Sequence, residues 1–394
     1  MEDIEHLAEL AVVVGANVQP GQRVRVSADV THTELVRAVA DAAYRHGASF
    51  VEADFSDLLL LRSHVLHARE QVQATVPKWW EAGLNELADA GGARIMIHGP
   101  TAPGLFDDLD PARVNRAQRP RSAAWRAVEY IVNNTIIPAP NQAWATALHP
   151  DLPPAQARNR LWDQIRIACR LNQPDPVDAW RRRFAALRKR AESLTALDLD
   201  EVRLAGPGTD LRIGLLPTAR WEPPTNINAH GIEHAWNLPS EEVYTVPDPL
   251  RADGHVRLTR PAVVNDTLIP GIELTFREGR VVKLTAPDKA PALREYIDRD
   301  PGTSRLGELA LVDGDSAVGS VGQTWGMIML DENTASHIAL GFGFPELVDP
   351  SERNRVNRSG DHLDLTVGSE AIRVTGHGAD GRERLLLHDG RWQF

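Results

Sequence analysis

A change of hydrophobic period near residue 200 constrains this chain more than any other feature. Before it, strand-like and helix-like segments alternate; after it, short β segments follow one another, separated by Gly, Pro and Asp. Ile4 to Val14 carries apolar residues at helical spacing, Gln19-Pro20-Gly21 reads as a turn, and "QRVRVSADV" puts Val24 and Val26 on one strand face. A helix from Thr33 to His46, closed by Gly47, leads to a second strand, "SFVEADF". This β-α-β rhythm predicts a parallel sheet, because parallel neighbours need a crossover and the helix supplies it. A helix over Trp79 to Ala90, the strand "ARIMIHG" and a helix over Arg121 to Tyr130 continue the pattern. "NRLWDQIRIACRL" and "DAWRRRFAALRKRAESL" predict two amphipathic helices, the Arg181 to Arg183 run being a solvated face of the second.

From Glu201 onward, "DLRIGLL", "AVVNDTLIPGIELTFREGRVVKLTA" and "EAIRVTGHGADGRERLLLHDGRWQF" predict hairpins, with turns at Glu278-Gly279 and Ala379-Asp380-Gly381. The expected fold class is α/β: an N-terminal α/β domain with a parallel sheet over residues 1–200, and a β-rich α+β C-terminal domain over residues 201–394. With 394 residues and 42% hydrophobic content the chain has enough material for two cores.

Composition removes several function classes. The net charge of -11 and the lack of a dense Lys/Arg block leave no electrostatic footprint for nucleic acid. The single cysteine, Cys169, excludes an internal disulfide and a Cys-rich zinc site, so a metal would have to use His, Asp or Glu. The N-terminus is acidic and amphipathic, and no apolar run reaches the roughly 18 residues needed to span a bilayer, so a cytoplasmic protein with no membrane partner is expected. No Gly-x-Gly-x-x-Gly follows the first strand, which leaves a dinucleotide site unsupported.

The chemistry lies in strands that carry ionisable groups. In "SGDHLDLTVGS", His362 and Asp364 are two residues apart and project together from one strand face, with Cα atoms about 7 Å apart, while Leu363, Leu365 and Val367 take the other. "RLGELALVDG" sets Glu308 inside an apolar strand, where an unpaired carboxylate costs several kcal/mol or takes up a proton. "DENTASHIALGFGFP" does the same for His337, and "NLPSEEVYTVPDP" adds Glu241 and Glu242, which alternation sends to opposite faces. Alone, each has a bland reading: a polar strand face, a core histidine, an uninformative acid pair. Together they form a carboxylate and imidazole set that suits one or two divalent ions such as zinc, cobalt or manganese. An acid-rich set offsets the repulsion between two dications and leaves room for water and substrate.

At these residues the sequence resembles the aminopeptidase T / PepS family of thermophilic metalloproteases, metallopeptidase family twenty-nine. The resemblance runs in order through "LAELAVVVGANVQPGQRV", "GPGTDLRIGL", "NLPSEEVYTVPD", "GELALV", "ENTASHIALG" and "HLDLTVGS", and covers essentially the whole chain. It implies a two-domain homodimer that uses two divalent metal ions to release the N-terminal residue of short peptides, or to cleave a small amide. Carried over by position, the metal ligands are Glu242, Glu308, His337, His362 and Asp364, with Glu241 left as a general base or supporting group. One position departs from the family: Phe344 stands where it has a tyrosine near the substrate, and loss of a phenol donor to the oxyanion costs about 2–4 kcal/mol if that donor acts directly. Two other classes compete. Some relatives on this scaffold are mononuclear iron dioxygenases that open hydroxypyridine rings, against which the retained Glu242 and Glu308 argue; a non-catalytic binding protein would show erosion of the ligand set. Trp221 and Trp236 fall in segments flanking these motifs, where aromatics either shape a pocket or fill the core.

Overall fold

The computed structural model describes residues 2–264, 267–287 and 290–394. Contacts divide the chain into two compact units: Met1–Arg181 with Thr225–Pro239, and Arg182–Pro224 with Ser240–Phe394. This division differs from a single cut near residue 200 in two respects. The helix Pro176–Ala196 spans the junction. The segment 225–239 rejoins the first unit, where Asn237 bridges in parallel to Ile136 and the His234 ring donates to the Asn134 carbonyl at 2.7 Å.

The first unit is built on a four-stranded parallel sheet in the order Phe50–Ser56, Arg23–Asp29, Ala93–His98, Asn133–Pro138. Val24 and Val26 are fully buried, as period-two alternation predicts. The helix Thr33–Arg45 makes the first crossover, and Gly47 follows with φ +88, a conformation glycine adopts without a Cβ clash. The N-terminal helix ends earlier than predicted: Glu2–Leu10 is α-helical and Ala11–Gly15 widens into a π turn, with Ala16 N bonded to Ala11 O at 2.8 Å. The helix expected over Arg121 to Tyr130 begins earlier than predicted, running from Pro111 to Arg126. Asp110 caps it by accepting from Ala112 N, and Pro111 occupies its first turn, so the start signal was present; Pro120 in its interior reads as a stop but is accommodated.

Among its described residues the second unit holds two antiparallel sheets of four or more strands and one two-stranded ribbon. The larger has eight strands in the order Arg280–Thr285, Glu273–Arg277, Pro247–Arg257, Thr209–Leu215, Leu199–Gly206, Arg373–Gly378, Glu383–His388, Arg391–Trp392. Its Glu273–Arg277 and Arg280–Thr285 hairpin turns at Glu278 and Gly279, both at positive φ (51 and 76), which matches the twist of the flanking strands. Ala262–Val264 pairs with Thr267–Ile269; Asn265 and Asp266, inside the same predicted segment, lie outside the described residues. The smaller sheet has four strands in the order His362–Thr366, His337–Gly341, Leu306–Val312, Glu242–Thr245. The chain is thus α/β, with a parallel sheet in its N-terminal part and a β-rich, antiparallel C-terminal part.

Candidate metal centre

Strand alternation gives the smaller sheet one apolar face and one ionisable face. Glu242 lies opposite Val312, Ala310 opposite His337, Ala339 opposite Asp364, and Gly341 opposite His362, so these residues share a face. Val243, Leu309, Leu311, Ile338, Leu340, Leu363 and Leu365 take the other face, and all are buried. Glu308 reaches the ionisable face through a bulge: Leu306 pairs with Leu340 but Glu308 pairs with Ala339, leaving Gly307 as an extra residue. Only glycine fits there, since a Cβ on Gly307 would lie 2.2 Å from the Phe342 carbonyl oxygen.

The five predicted ligands come together. His337 Nε2 lies 3.2 Å from Glu242 Oε2; His362 Nε2 lies 3.0 Å from Glu308 Oε2 and 3.2 Å from Asp364 Oδ1. They form two ligand groups, Glu242-Glu308-His337 and Glu308-His362-Asp364, in each of which one ligand atom per residue falls within 4.8 Å of the others. Glu308 belongs to both. His362 is oriented by its other nitrogen, whose N–H donates to the Phe342 carbonyl at 2.9 Å and thereby turns Nε2 to the acids. The small residues Ala310, Ala339 and Gly341 lie between the ligands and leave space over the sheet.

Without a cation these charges perturb each other strongly. Burial, reinforced by Glu308 and Asp364, pushes Glu242 up to about 8. Burial opposes the charged form of both histidines, yet the surrounding carboxylates raise His337, and raise His362 well above its ordinary value. For Asp364 burial works upward, but His362 outweighs it and holds the carboxyl down at about 2. Glu242 Oε2 is buried and makes no hydrogen bond among the described residues, since the His337 ring 3.2 Å away is not aligned to give one. A buried carboxylate oxygen without a hydrogen bond, amid acids and imidazoles, is what a divalent cation would satisfy, so the donor set fits metal.

Two residues that sequence reasoning missed complete the cluster. Glu332, on a 3₁₀ turn, is buried beside Asp364, and burial, Asp364, Glu242 and Glu308 together raise it well above the usual carboxylate range, while its hydrogen bond with Asp364 helps hold Asp364 low. Its neighbour Asn333, fully buried, accepts from Glu241 N at 2.6 Å and donates to Met329 O and Glu332 Oε1, tying the Glu242 strand to that turn. The signal was in "DENTASHIALG", five residues before His337, but a turn has no strand period to mark which acid points inward.

Glu241 is not brought into the cluster. Its Oε2 lies 2.6 Å from Arg183 Nε and its Oε1 accepts from Ala317 N at 2.8 Å, so both oxygens face away from the ligands and the geometry gives the expected general base no support. Arg183 corrects a second expectation. Arg181 and Arg182 are exposed, but Arg183 is largely buried between Glu241 and Asp313, and Trp392 Nε1 donates to that same Asp313. Phe344 does stand beside the cluster, its ring centroid 5.7 Å from that of His362 and 5.3 Å from that of Tyr244. Trp221 is buried next to Thr195, and Trp236 packs edge-on against Tyr130 and His234 in the first unit; neither is on the site sheet.

Comparison with known proteins identifies the family. The thermophilic metalloprotease family matches residues 1–392. Aminopeptidase T of Thermus thermophilus is 35% identical over 99% of this chain and 98% of its own length. Aminopeptidase 2 of Geobacillus stearothermophilus is 32% identical over 100% and 98%. The solved structure of wild-type AmpT from Thermus thermophilus superposes with a TM-score of 0.92 at 35% identity, covering 100% of this chain and 99% of that one. The chain therefore belongs to the thermophilic metalloprotease family and is a metal-dependent hydrolase of peptide bonds.

Proposed function

We propose that this protein is an aminopeptidase that removes the N-terminal residue of short peptides at a site holding two divalent ions. The observation that carries the reading is the position of Glu308 in both ligand groups, an arrangement suited to two neighbouring cations. The names of the relatives, aminopeptidase T and aminopeptidase 2, support the substrate class. Glu242 and His337 would hold one ion, His362 and Asp364 the other, with Glu308 between them, and zinc, cobalt or manganese each suit such a set. When bound, such ions lower the pKa of a coordinated water and polarise the scissile carbonyl.

The chain's own residues divide the remaining work. His362 is held in one orientation by the Phe342 carbonyl, and Asp364 is held low by His362 and by its hydrogen bond with Glu332. Glu332 is the one acid of the cluster outside both ligand groups, which fits it to carry a proton between the attacking water and the leaving nitrogen. Each ligand group contains one imidazole and two carboxylates, whereas the oxygen-activating iron triad uses two imidazoles and one carboxylate, so the dioxygenase alternative gains nothing from this geometry. No helix among the described residues is long and apolar enough to cross a membrane. A cytoplasmic homodimer belongs to the same proposal, and sedimentation analysis tests its oligomeric part. Turnover of aminoacyl anilides after loading with zinc, cobalt or manganese tests the activity: aniline release supports the reading, and loaded protein that releases none rejects it.

A further inference from the structure

Asn357 lies on the irregular stretch before the strand His362–Thr366, and it is buried. Its side-chain amide nitrogen stands 3.0 Å from the Gly302 carbonyl oxygen, 3.1 Å from that of Arg305, 3.2 Å from that of Leu306 and 2.5 Å from that of Gly341. An amide nitrogen carries two hydrogens, so each is shared between two acceptors. Four carbonyl dipoles from three chain segments thus turn their negative ends to one point, and the amide there offsets their mutual repulsion. The stretch that carries Asn357 is itself pinned. Val356 is buried in a core cluster with Val246 and Leu347, and Ser359 Oγ donates to Asp300 at 2.7 Å.

Two of these contacts reach the peptide groups that aim metal ligands. The Leu306 carbonyl belongs to the peptide joining Leu306 to Gly307, the extra residue whose bulge turns Glu308 to the ionisable face. The Gly341 carbonyl belongs to the peptide that enters Phe342, and on the far side of Phe342 the Gly343 N–H donates to the Asn357 backbone carbonyl at 3.0 Å. That N–H lies in the same planar peptide group as the Phe342 carbonyl, and in a trans peptide the two point opposite ways. One edge of the plane is therefore held by Asn357, while the other accepts from His362 Nδ1 at 2.9 Å. Side chain and backbone of a single residue brace the settings of both Glu308 and His362, whose side chains meet at 3.0 Å.

We infer that Asn357 is a positioning residue of the metal centre: its amide fixes the bulge that presents Glu308 and the peptide plane that orients His362. This rests on the reading of the acid and imidazole cluster as a site for two divalent ions. Without the amide the converging carbonyls would swing apart, and the two ligands would lose their common geometry. Glu308 belongs to both ligand groups and His362 to one. Loss of the amide should therefore weaken both ions, and weaken more the ion held by His362 and Asp364.

Zinc titration by calorimetry of the metal-free full-length chain tests this in wild type, Asn357→Ala and Val202→Ala. Val202 is fully buried in the eight-stranded sheet rather than the site sheet, so its truncation lowers stability without touching the bulge. Folded Asn357→Ala should bind zinc about 10- to 100-fold more weakly than wild type. Its cobalt-loaded form should show a shifted visible absorption, because that spectrum follows ligand geometry. Val202→Ala should keep the wild-type zinc affinity and cobalt spectrum. Wild-type affinity and spectrum in Asn357→Ala would overturn the inference and leave the two-ion reading intact. So would an equal loss of affinity in Val202→Ala, which marks general destabilisation rather than positioning. If Asn357→Ala does not fold, Asn357→Ser, which keeps one donor, is judged by the same results. Wild-type protein that takes up no metal rejects the two-ion reading, and this inference with it.

Discussion

Leu306 and Glu308 are two residues apart on one strand yet face opposite sides of the sheet, because Gly307 is an extra residue in the pairing between them. The bulge lets one short strand keep a leucine in the core and still present a carboxylate to both histidine ligands. It is backed by close contact: the Gly341 and Phe342 carbonyl oxygens occupy the space where a Cβ on residue 307 would sit.

Gly307→Ala should therefore act on the metal site more than on the fold. The colliding atoms are backbone and cannot rotate away, so the strand must shift and carry Glu308 with it. Metal affinity should fall roughly tenfold or more, as when ligand orientation is disturbed elsewhere. Metal titration of apo protein reads this directly, and unchanged affinity would mean that the bulge does not set the ligand.

Glu241 and Arg183 form a buried ion pair, with Glu241 fully inaccessible. Removing one partner leaves the other charge buried without its counterion, so Glu241→Ala should destabilise the protein by about 3–5 kcal/mol. Glu241→Gln should be milder, since its amide oxygen still accepts from Ala317 N. Turnover per folded molecule should stay near wild type in Glu241→Gln. A collapse of kcat in folded Glu241→Gln, seen alongside normal unfolding behaviour, would restore the general-base role that the geometry does not support.

Glu332 separates two roles by one substitution. Glu332→Gln keeps a donor toward Asp364 but cannot carry a proton in and out. If it transfers protons, the variant should retain its metal and lose kcat by about 100-fold or more. Metal lost together with activity would make Glu332 a ligand instead, and elemental analysis beside kinetics tells the two apart.

Metal binding should be coupled to protons in a definite direction. Glu242 is raised to about 8 and both histidines are raised, so at neutral pH the metal-free site holds protons that must leave when ions enter; Asp364, at about 2, is already ionised and contributes none. Loading should release protons at pH 7, and apparent affinity should climb as pH rises toward 8 and weaken as it falls. Calorimetry in buffers of different ionisation enthalpy counts the protons; a buffer-independent heat would contradict the raised values.

The ligands were legible because each sits on a strand whose neighbours alternate with it, and period two tells which side chains share a face. His362 with Asp364 is the clearest case, and the pair does meet, at 3.2 Å. Glu332 was not legible because a 3₁₀ turn imposes no such alternation. Alternation also placed Glu241 opposite Glu242 without saying what would meet it there: its partner, Arg183, is 58 residues earlier on a helix, and only tertiary packing joins them. The same limit applies to the fold. The strand Asn133–Pro138 opens with two asparagines and ends in proline, which suggests a loop, yet Asn133 is buried and bonded to Ala16 O and Gln22. The return of residues 225–239 to the first unit is likewise set by long-range contacts such as that between His234 and Asn134, which no local pattern announces.

The central claim is that Glu308 joins two cation sites, and the ratio of metal to chain tests it most directly. Elemental analysis of gently purified, zinc-loaded protein should find two ions per chain in the wild type and fewer than one in Glu308→Ala, because both ligand groups lose a member at once. One ion per saturated wild-type chain, or two retained by Glu308→Ala, would contradict the account.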